Sequence, residues 1–303
     1  MYLQHFQLKE FPFGITPDTS FFFSSRASQQ ALNTLLVATR AGEGFIKITG
    51  EVGTGKTLLC RQLLQSLGDD FQTAYIPNPH LTPLGLLQEL ADELGADTGG
   101  LGQTTEMQYQ HVLLKALRER LLSLAQENKR VVVCLDEVQA MPIDTLEALR
   151  LLTNLETEKQ KLVQVVIFGQ PELDAKLKHP SIRQLKQRIT FDYHLGPLIG
   201  PELARYLDHR MAVAGYDGAR VFSAPATWAL RWRTRGFPRL VNIVAHKALM
   251  CSYGRGKKAV GVREMNEAIG DTASLRLPKR YVALASFSIL VMGLLVLEIA
   301  RTV

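Results

Sequence analysis

Cysteine is scarce in this 303-residue chain: Cys60, Cys134 and Cys251 lie far apart, and three is an odd number. A disulfide framework and a cysteine-built zinc site are therefore not expected, and a reducing compartment fits best. No export-type leader follows Met1, where the chain runs straight into mixed aromatic and polar residues, so a signal peptide is not expected. No internal repeat is visible. With 46% hydrophobic and 21% charged residues, the chain is neither wholly disordered nor a polytopic membrane protein. Its length exceeds the usual single-domain size, which predicts two packed units and an appendage.

Two asymmetries lie beneath these averages. Residues 1–200 hold 19 Lys/Arg against 22 Asp/Glu, whereas residues 201–280 hold 15 against 6. A basic C-terminal unit can meet nucleic acid, anionic lipid or nucleotide phosphates. The second asymmetry is the run from Tyr281 to Ala300, 20 residues with a single charge at Glu298. As a helix it would be ~30 Å long, the thickness of a bilayer core. Lys279 and Arg280 precede it, which predicts a tail span whose N-terminal side stays in the cytoplasm.

Along the chain, residues 1–25 are rich in Phe and Pro and read as an irregular segment pinned onto a core. Apolar strands are predicted at 45–49, 73–76, 131–135 and 163–168, with a fifth at 189–193. They alternate with helices near 28–40, 56–67, 83–94, 106–126 and 142–157. Strands apolar throughout and separated by helices indicate a parallel sheet covered on both faces. From Gly200 onward the pattern is helical. The expected division is an α/β core over 1–199, a small helical domain, or lid, over 200–275 and a transmembrane helix over 281–300.

The segment Gly50-Glu51-Val52-Gly53-Thr54-Gly55-Lys56-Thr57 fits G-x-x-x-x-G-K-[ST]. A chance match in such a chain is on the order of 1%. A strand precedes it and a helix follows, as the mechanism requires. The glycines let backbone N–H groups face phosphate oxygens, Lys56 adds a point charge, and the Thr57 hydroxyl can ligate Mg²⁺. Asp136 and Glu137 follow a strand of apolar residues, at the sheet edge beside that loop. Asp136 is placed to hold the Mg²⁺ shell and Glu137 to polarise an attacking water. Gln170, after the next strand, can bond that water or the γ-phosphate, and Asn78, after the second strand, can restrain Glu137. Arg188 and Arg239 are candidates for phosphate contacts, the first in a neighbouring subunit and the second from the lid, because the guanidinium fork stays charged.

The ordered set of these segments, TGEVGTGKT, VVVCLDEVQ, FGQPELD, LKQRIT and GFPRLVN, resembles the AAA+ ATPases of the ExeA (GspA) type, and within them the branch that serves the mannose-sensitive haemagglutinin (MSHA) type IV pilus. The likeness runs from about Met1 to Thr272. It implies a RecA-like P-loop NTPase core with a helical lid, ATP with Mg²⁺ as cofactors, and a ring-like homo-oligomer working with pilus or secretion assembly components at the bacterial inner membrane. It also implies that Gln170 is a first sensor, Arg188 a finger and Arg239 a second sensor. One departure is Ser28-Gln29-Gln30-Ala31-Leu32, which stands where the family has His-x-Glu-Ala-Leu. The leading expectation is a membrane-tethered ATPase. The alternatives are a DNA-acting AAA+ helper, suggested by Arg231, Arg233 and Arg235 around Trp228 and Trp232, and a nucleotide switch that does not hydrolyse. Nucleic acid is not the expected partner.

Overall fold

The computed structural model describes residues 2–77, 80–98, 106–152, 155–156 and 161–275. Five strands form one sheet: β1 (Phe45–Thr49), β2 (Phe71–Ile76), β3 (Arg130–Leu135), β4 (Val163–Gly169) and β5 (Phe191–His194). Their order is β2-β3-β4-β1-β5, and every pairing is parallel. The helices are α1 (Tyr2–His5), α2 (Arg26–Ala41), α3 (Lys56–Ser66), α4 (Pro83–Leu94), α5 (Glu106–Gln126), α6 (Ile143–Leu152), α7 (Glu172–Lys176), α8 (Arg183–Gln187), α9 (Glu202–Val213), α10 (Ala224–Thr234), α11 (Pro238–Gly254) and α12 (Val262–Asp271).

The apolar strands are apolar for the expected reason: alternate residues serve two different cores. Val131, Val133, Leu135, Val165 and Ile167 face one side, packed with Leu86, Leu90, Leu117 and Leu149 from α4, α5 and α6. Val132, Cys134, Val166, Phe168, Ile46 and Ile48 face the other, packed with Leu35, Leu59 and Leu63 from α2 and α3. This is the period-two geometry of a strand buried on both faces. Two of the scarce cysteines, Cys60 and Cys134, act here as small buried apolar groups. Lys47 of β1 is a buried cation, held by ion pairs to Asp174 and, at 2.8 Å, to Asp192. Without such partners a buried ammonium would cost several kcal/mol.

A third core joins α9, α10, α11 and α12. Its composition differs from the sequence expectation in one respect. Tyr2, Phe6, Phe13 and Phe21 pack among these helices, not against the sheet. Arg210 of α9 fixes the segment: its guanidinium donates to the carbonyls of Pro12 and Gly14 and lies 4.3 Å over the Phe21 ring. Among the described residues no helix is long and apolar enough to cross a membrane. The apolar run at 281–300 lies outside the described residues.

Candidate functional site

Parallel pairing sets where the chemistry gathers. Thr49 at the end of β1 is in register with Gly169 of β4 and His194 of β5, and Leu135 of β3 is in register with Ile167. The residues that follow these strands therefore emerge at one edge of the sheet: the 50–57 loop after β1, Asp136 and Glu137 after β3, and Gln170 after β4.

The loop folds over itself. Gly50 N–H donates to the Gly169 carbonyl at 3.1 Å, and the Thr54 hydroxyl donates to the Glu51 carbonyl at 2.9 Å. Gly53 has φ +79°, and a Cβ added there would sit 2.3 Å from Cβ of Arg239. Glycine is needed both for the left-handed backbone and for the closeness of α11. Lys56 opens α3 and is buried, its ammonium donating to the carbonyls of Gly50 at 2.8 Å and Glu51 at 3.1 Å. Burial draws its pKa down, against the opposing pull of Glu137, Asp136 and Glu51.

Thr57 lies one residue further into α3, where its hydroxyl donates to Asp136 Oδ2 at 2.5 Å. Asp136 Oδ1 accepts from the Glu137 N–H at 2.9 Å. Burial raises the Asp136 pKa in spite of these two donors. A hydroxyl and a carboxylate in contact, both hard oxygen donors beside a phosphate-binding loop, suit Mg²⁺.

Glu137 stands in the left-handed region at φ 53°, ψ 36°, a strained position for a non-glycine residue. That carboxylate is held by two amides. Gln139 Nε2 donates to Oε2 at 2.5 Å and Gln170 Nε2 donates to the same oxygen at 2.9 Å. Gln139 Oε1 in turn accepts from the Gln170 N–H at 2.9 Å. Burial pushes the Glu137 pKa up, but the Gln170 and Gln139 hydrogen bonds and the charge of Lys56 outweigh it, so the net shift is downward.

A cleft of about 330 Å³ opens between the 50–57 loop, the 14–18 segment and helices α9 and α11. Arg239, near the start of α11, lines it, and its backbone N–H donates to the Gly53 carbonyl at 3.1 Å. Glu137, Lys56 and Thr57 line the same cleft. Arg188 does not. Thr190, two residues on, bonds the Phe45 carbonyl at the start of β1, while Arg188 itself donates to the Arg150 carbonyl at 3.3 Å. At ~3.3 Å per strand residue, that places Arg188 roughly 15–20 Å from the loop of its own chain. Asn78 lies outside the described residues.

Several residues escaped the sequence reading. Gln139 ends the VVVCLDEVQ segment, but nothing in that segment by itself gives it a role. Gly14 to Asp18, Tyr206, Arg210 and Asn242 also line the cleft. Asn242 joins them, accepting from the Tyr206 hydroxyl at 2.7 Å and donating to the Gly14 carbonyl at 3.1 Å. The Phe- and Pro-rich composition of the N-terminal segment was the available signal, although it pointed to packing and not to a ligand cleft.

Residues 39–177 match the AAA domain family. Over 279 residues the chain is 39% identical to general secretion pathway protein A of Aeromonas hydrophila, a match that covers 91% of this chain and 49% of that protein. The chain is a GspA-like AAA protein. It spans about half the length of that curated relative. The fold of this GspA-like protein is also similar to the Cdc6p structure from Pyrobaculum aerophilum, with a TM-score of 0.63 at 19% identity, covering 84% of this chain and 70% of that one. The ORC2 protein of Aeropyrum pernix, solved as ADPNP-ADP complexes, gives a TM-score of 0.61 at 16% identity, with coverages of 88% and 74%. At these identities the two structures speak for the fold alone.

Proposed function

We propose that this chain hydrolyses ATP with Mg²⁺ as a membrane-tethered homo-oligomer, and that the cycle supports assembly of an envelope machine, a type II secretion apparatus or a type IV pilus of the MSHA kind. The carrying observation is the convergence at one sheet edge of Lys56, the Thr57–Asp136 pair and a Glu137 carboxylate oriented by two glutamine amides, beneath Arg239 of the lid.

The chain's own groups divide the work. Loop N–H groups and Lys56 bind the phosphates, the ammonium exchanging its bonds to the Gly50 and Glu51 carbonyls for phosphate oxygens. Thr57 and Asp136 would hold Mg²⁺, which supplies charge neutralisation at the β- and γ-phosphates. Glu137, ionised near neutral pH by its amide donors, accepts hydrogen bonds from the attacking water and orients it. Gln170 connects that carboxylate to the end of β4. Arg239 reaches the γ-phosphate from the lid, so lid position and turnover are coupled.

The place of Arg188 at the opposite end of the strands supports a role on a neighbouring subunit's nucleotide, and so a ring-like oligomer. In this reading residues 1–199 form the core, with their N-terminal aromatics packed on the lid, 200–275 the lid and 281–300 the inner-membrane tether, with the ATPase unit in the cytoplasm. Kinship with a secretion pathway protein and the basic Lys279-Arg280 flank support that location. The test is steady-state ATP hydrolysis by the full chain. Lys56→Ala should lose nucleotide binding, and Glu137→Gln should bind ATP without turning it over. Unchanged hydrolysis in both variants would remove the mechanism.

A further inference from the structure

The nucleotide site uses neither tryptophan of the chain, nor Arg231 or Arg235. Trp228 and Trp232 are the two tryptophans of the sequence, and both are exposed, at 67% and 65%. Large exposed aromatics side by side mark a surface that meets something. They sit four residues apart on α10. At 100° per residue, positions 228, 231 and 232 fall within an arc of about 100°. Arg235, also exposed, caps the same helix. Beside them a groove of about 570 Å³ runs between α10 and α12, lined by Pro225, Arg233, Val262 and Ile269 as well as the tryptophans.

The charge of this face is unbalanced. The acidic groups of α12 are engaged elsewhere: Glu264 with Arg255 and Lys257, Glu267 with Arg255, and Asp271 with Lys247. The arginines of α10 therefore present net positive charge around an aromatic surface. Arg233 adds a second fact. Its guanidinium lies 5.6 Å from the Trp232 ring and bonds the carbonyl of Leu275. The chain thus leaves the lid at this face. Five residues, Arg276 to Arg280, three of them basic, separate Leu275 from the apolar run that begins at Tyr281. Six Cα steps span at most roughly 20 Å. Trp and Arg together are the side chains suited to a headgroup layer, with an apolar body and a polar or charged tip.

We propose that the α10–α12 face bearing Trp228, Trp232, Arg231 and Arg235 docks on an anionic lipid surface, seating the lid against the membrane that holds residues 281–300. The proposal deepens the tethered reading and rests on it for the nearness of that surface. Nucleotide turnover would then move the core relative to a lid fixed on the headgroups.

Because the chain has two tryptophans, both on this face, intrinsic emission of the intact protein reports the contact directly. The full chain is reconstituted into vesicles of phosphatidylglycerol and brominated phosphatidylcholine. Emission should be blue-shifted and quenched relative to the detergent-solubilised chain, and both effects should fade at high salt. Arg231→Gln and Arg235→Gln should each weaken the lid–lipid equilibrium about fivefold at low salt, and leave ATP hydrolysis in detergent unchanged. A chain that floats with the vesicles and resists carbonate extraction, yet emits at the water-exposed wavelength without quenching, overturns the proposal and leaves the tether standing. A chain released by carbonate but quenched when returned to anionic vesicles supports the docking face and removes the tether. An emission change on adding duplex DNA that vesicles fail to produce assigns the face to nucleic acid and overturns the proposal.

Discussion

The contact between Gly53 and Arg239 offers a quantitative test of how lid and loop are coupled. Gly53→Ala places a Cβ at 2.3 Å from Cβ of Arg239, in a backbone position at φ +79°. The left-handed conformation costs an alanine about 1–2 kcal/mol, with or without nucleotide, and this should appear as lost stability. The clash has a separate consequence. Both atoms are close to backbone, so the start of α11 must retreat, breaking the Arg239 N–H bond to Gly53 and, if the proposed role holds, moving the Arg239 guanidinium away from the phosphates. The lost backbone bond adds to the cost in stability, whereas a charge-assisted hydrogen bond from Arg239 to phosphate is worth roughly 1.5–3 kcal/mol. That corresponds to a loss of nucleotide affinity of roughly 10- to 150-fold. Gly42→Ala is the matched control. Gly42 has φ +80° at the end of α2, with open space where its Cβ would lie, so it should lower thermal stability alone. Titration of a fluorescent ATP analogue, beside thermal melts of both variants, separates the two effects. If Gly53→Ala bound nucleotide within about twofold of the parent while melting like Gly42→Ala, the coupling argument would be refuted.

Three further outcomes follow from the same geometry. Gln139→Leu removes one donor to the Glu137 carboxylate and strands the Gln170 N–H, so turnover should fall roughly 10- to 100-fold with nucleotide affinity retained; an unchanged turnover number would deny Gln139 a positioning role. Arg188→Ala should leave nucleotide binding intact but lower ATPase activity at concentrations where the chain self-associates, and adding a Glu137→Gln partner with an intact Arg188 should restore part of it. Glu264 is buried and receives hydrogen bonds from Lys257, Arg255 and the Gly261 N–H, and its pKa is drawn from 4.5 to about 2, chiefly by Lys257. Its pKa is depressed, so its stabilisation is complete above about 4.5 and is lost as pH falls from there towards 2. Glu264→Gln should cost roughly 2 kcal/mol at neutral pH, and urea melts should show that cost shrinking in acid.

Much of the candidate site at the sheet edge was legible in the sequence because its signals are local. The 50–57 loop needs glycines at fixed offsets, Asp136 and Glu137 end an apolar strand, and each strand's alternation is visible in a few residues. Arg239 was a weaker signal, because its worth depends on a fold-back that brings residue 239 beside residue 53. Gln139 stood at the end of a quoted segment without a role, since its role comes from two contacts, one with a carboxylate two residues away and one with an amide 31 residues on.

The scarcity of cysteine, the acidic core, the basic lid and the apolar run at 281–300 belong to the sequence alone, since composition and periodicity need no long-range contact to be read. Strand order, the assignment of the N-terminal aromatics to the lid, the amide pair on Glu137 and the separation of Arg188 from its own loop belong to the tertiary structure. Each depends on which segments, far apart in the chain, share a register or a core. The basic excess divides in the same way. Its sign and place were fixed by residue counts, but packing alone turned Arg239 and Arg210 into the nucleotide cleft and left Arg231 and Arg235 outside it, beside two exposed tryptophans.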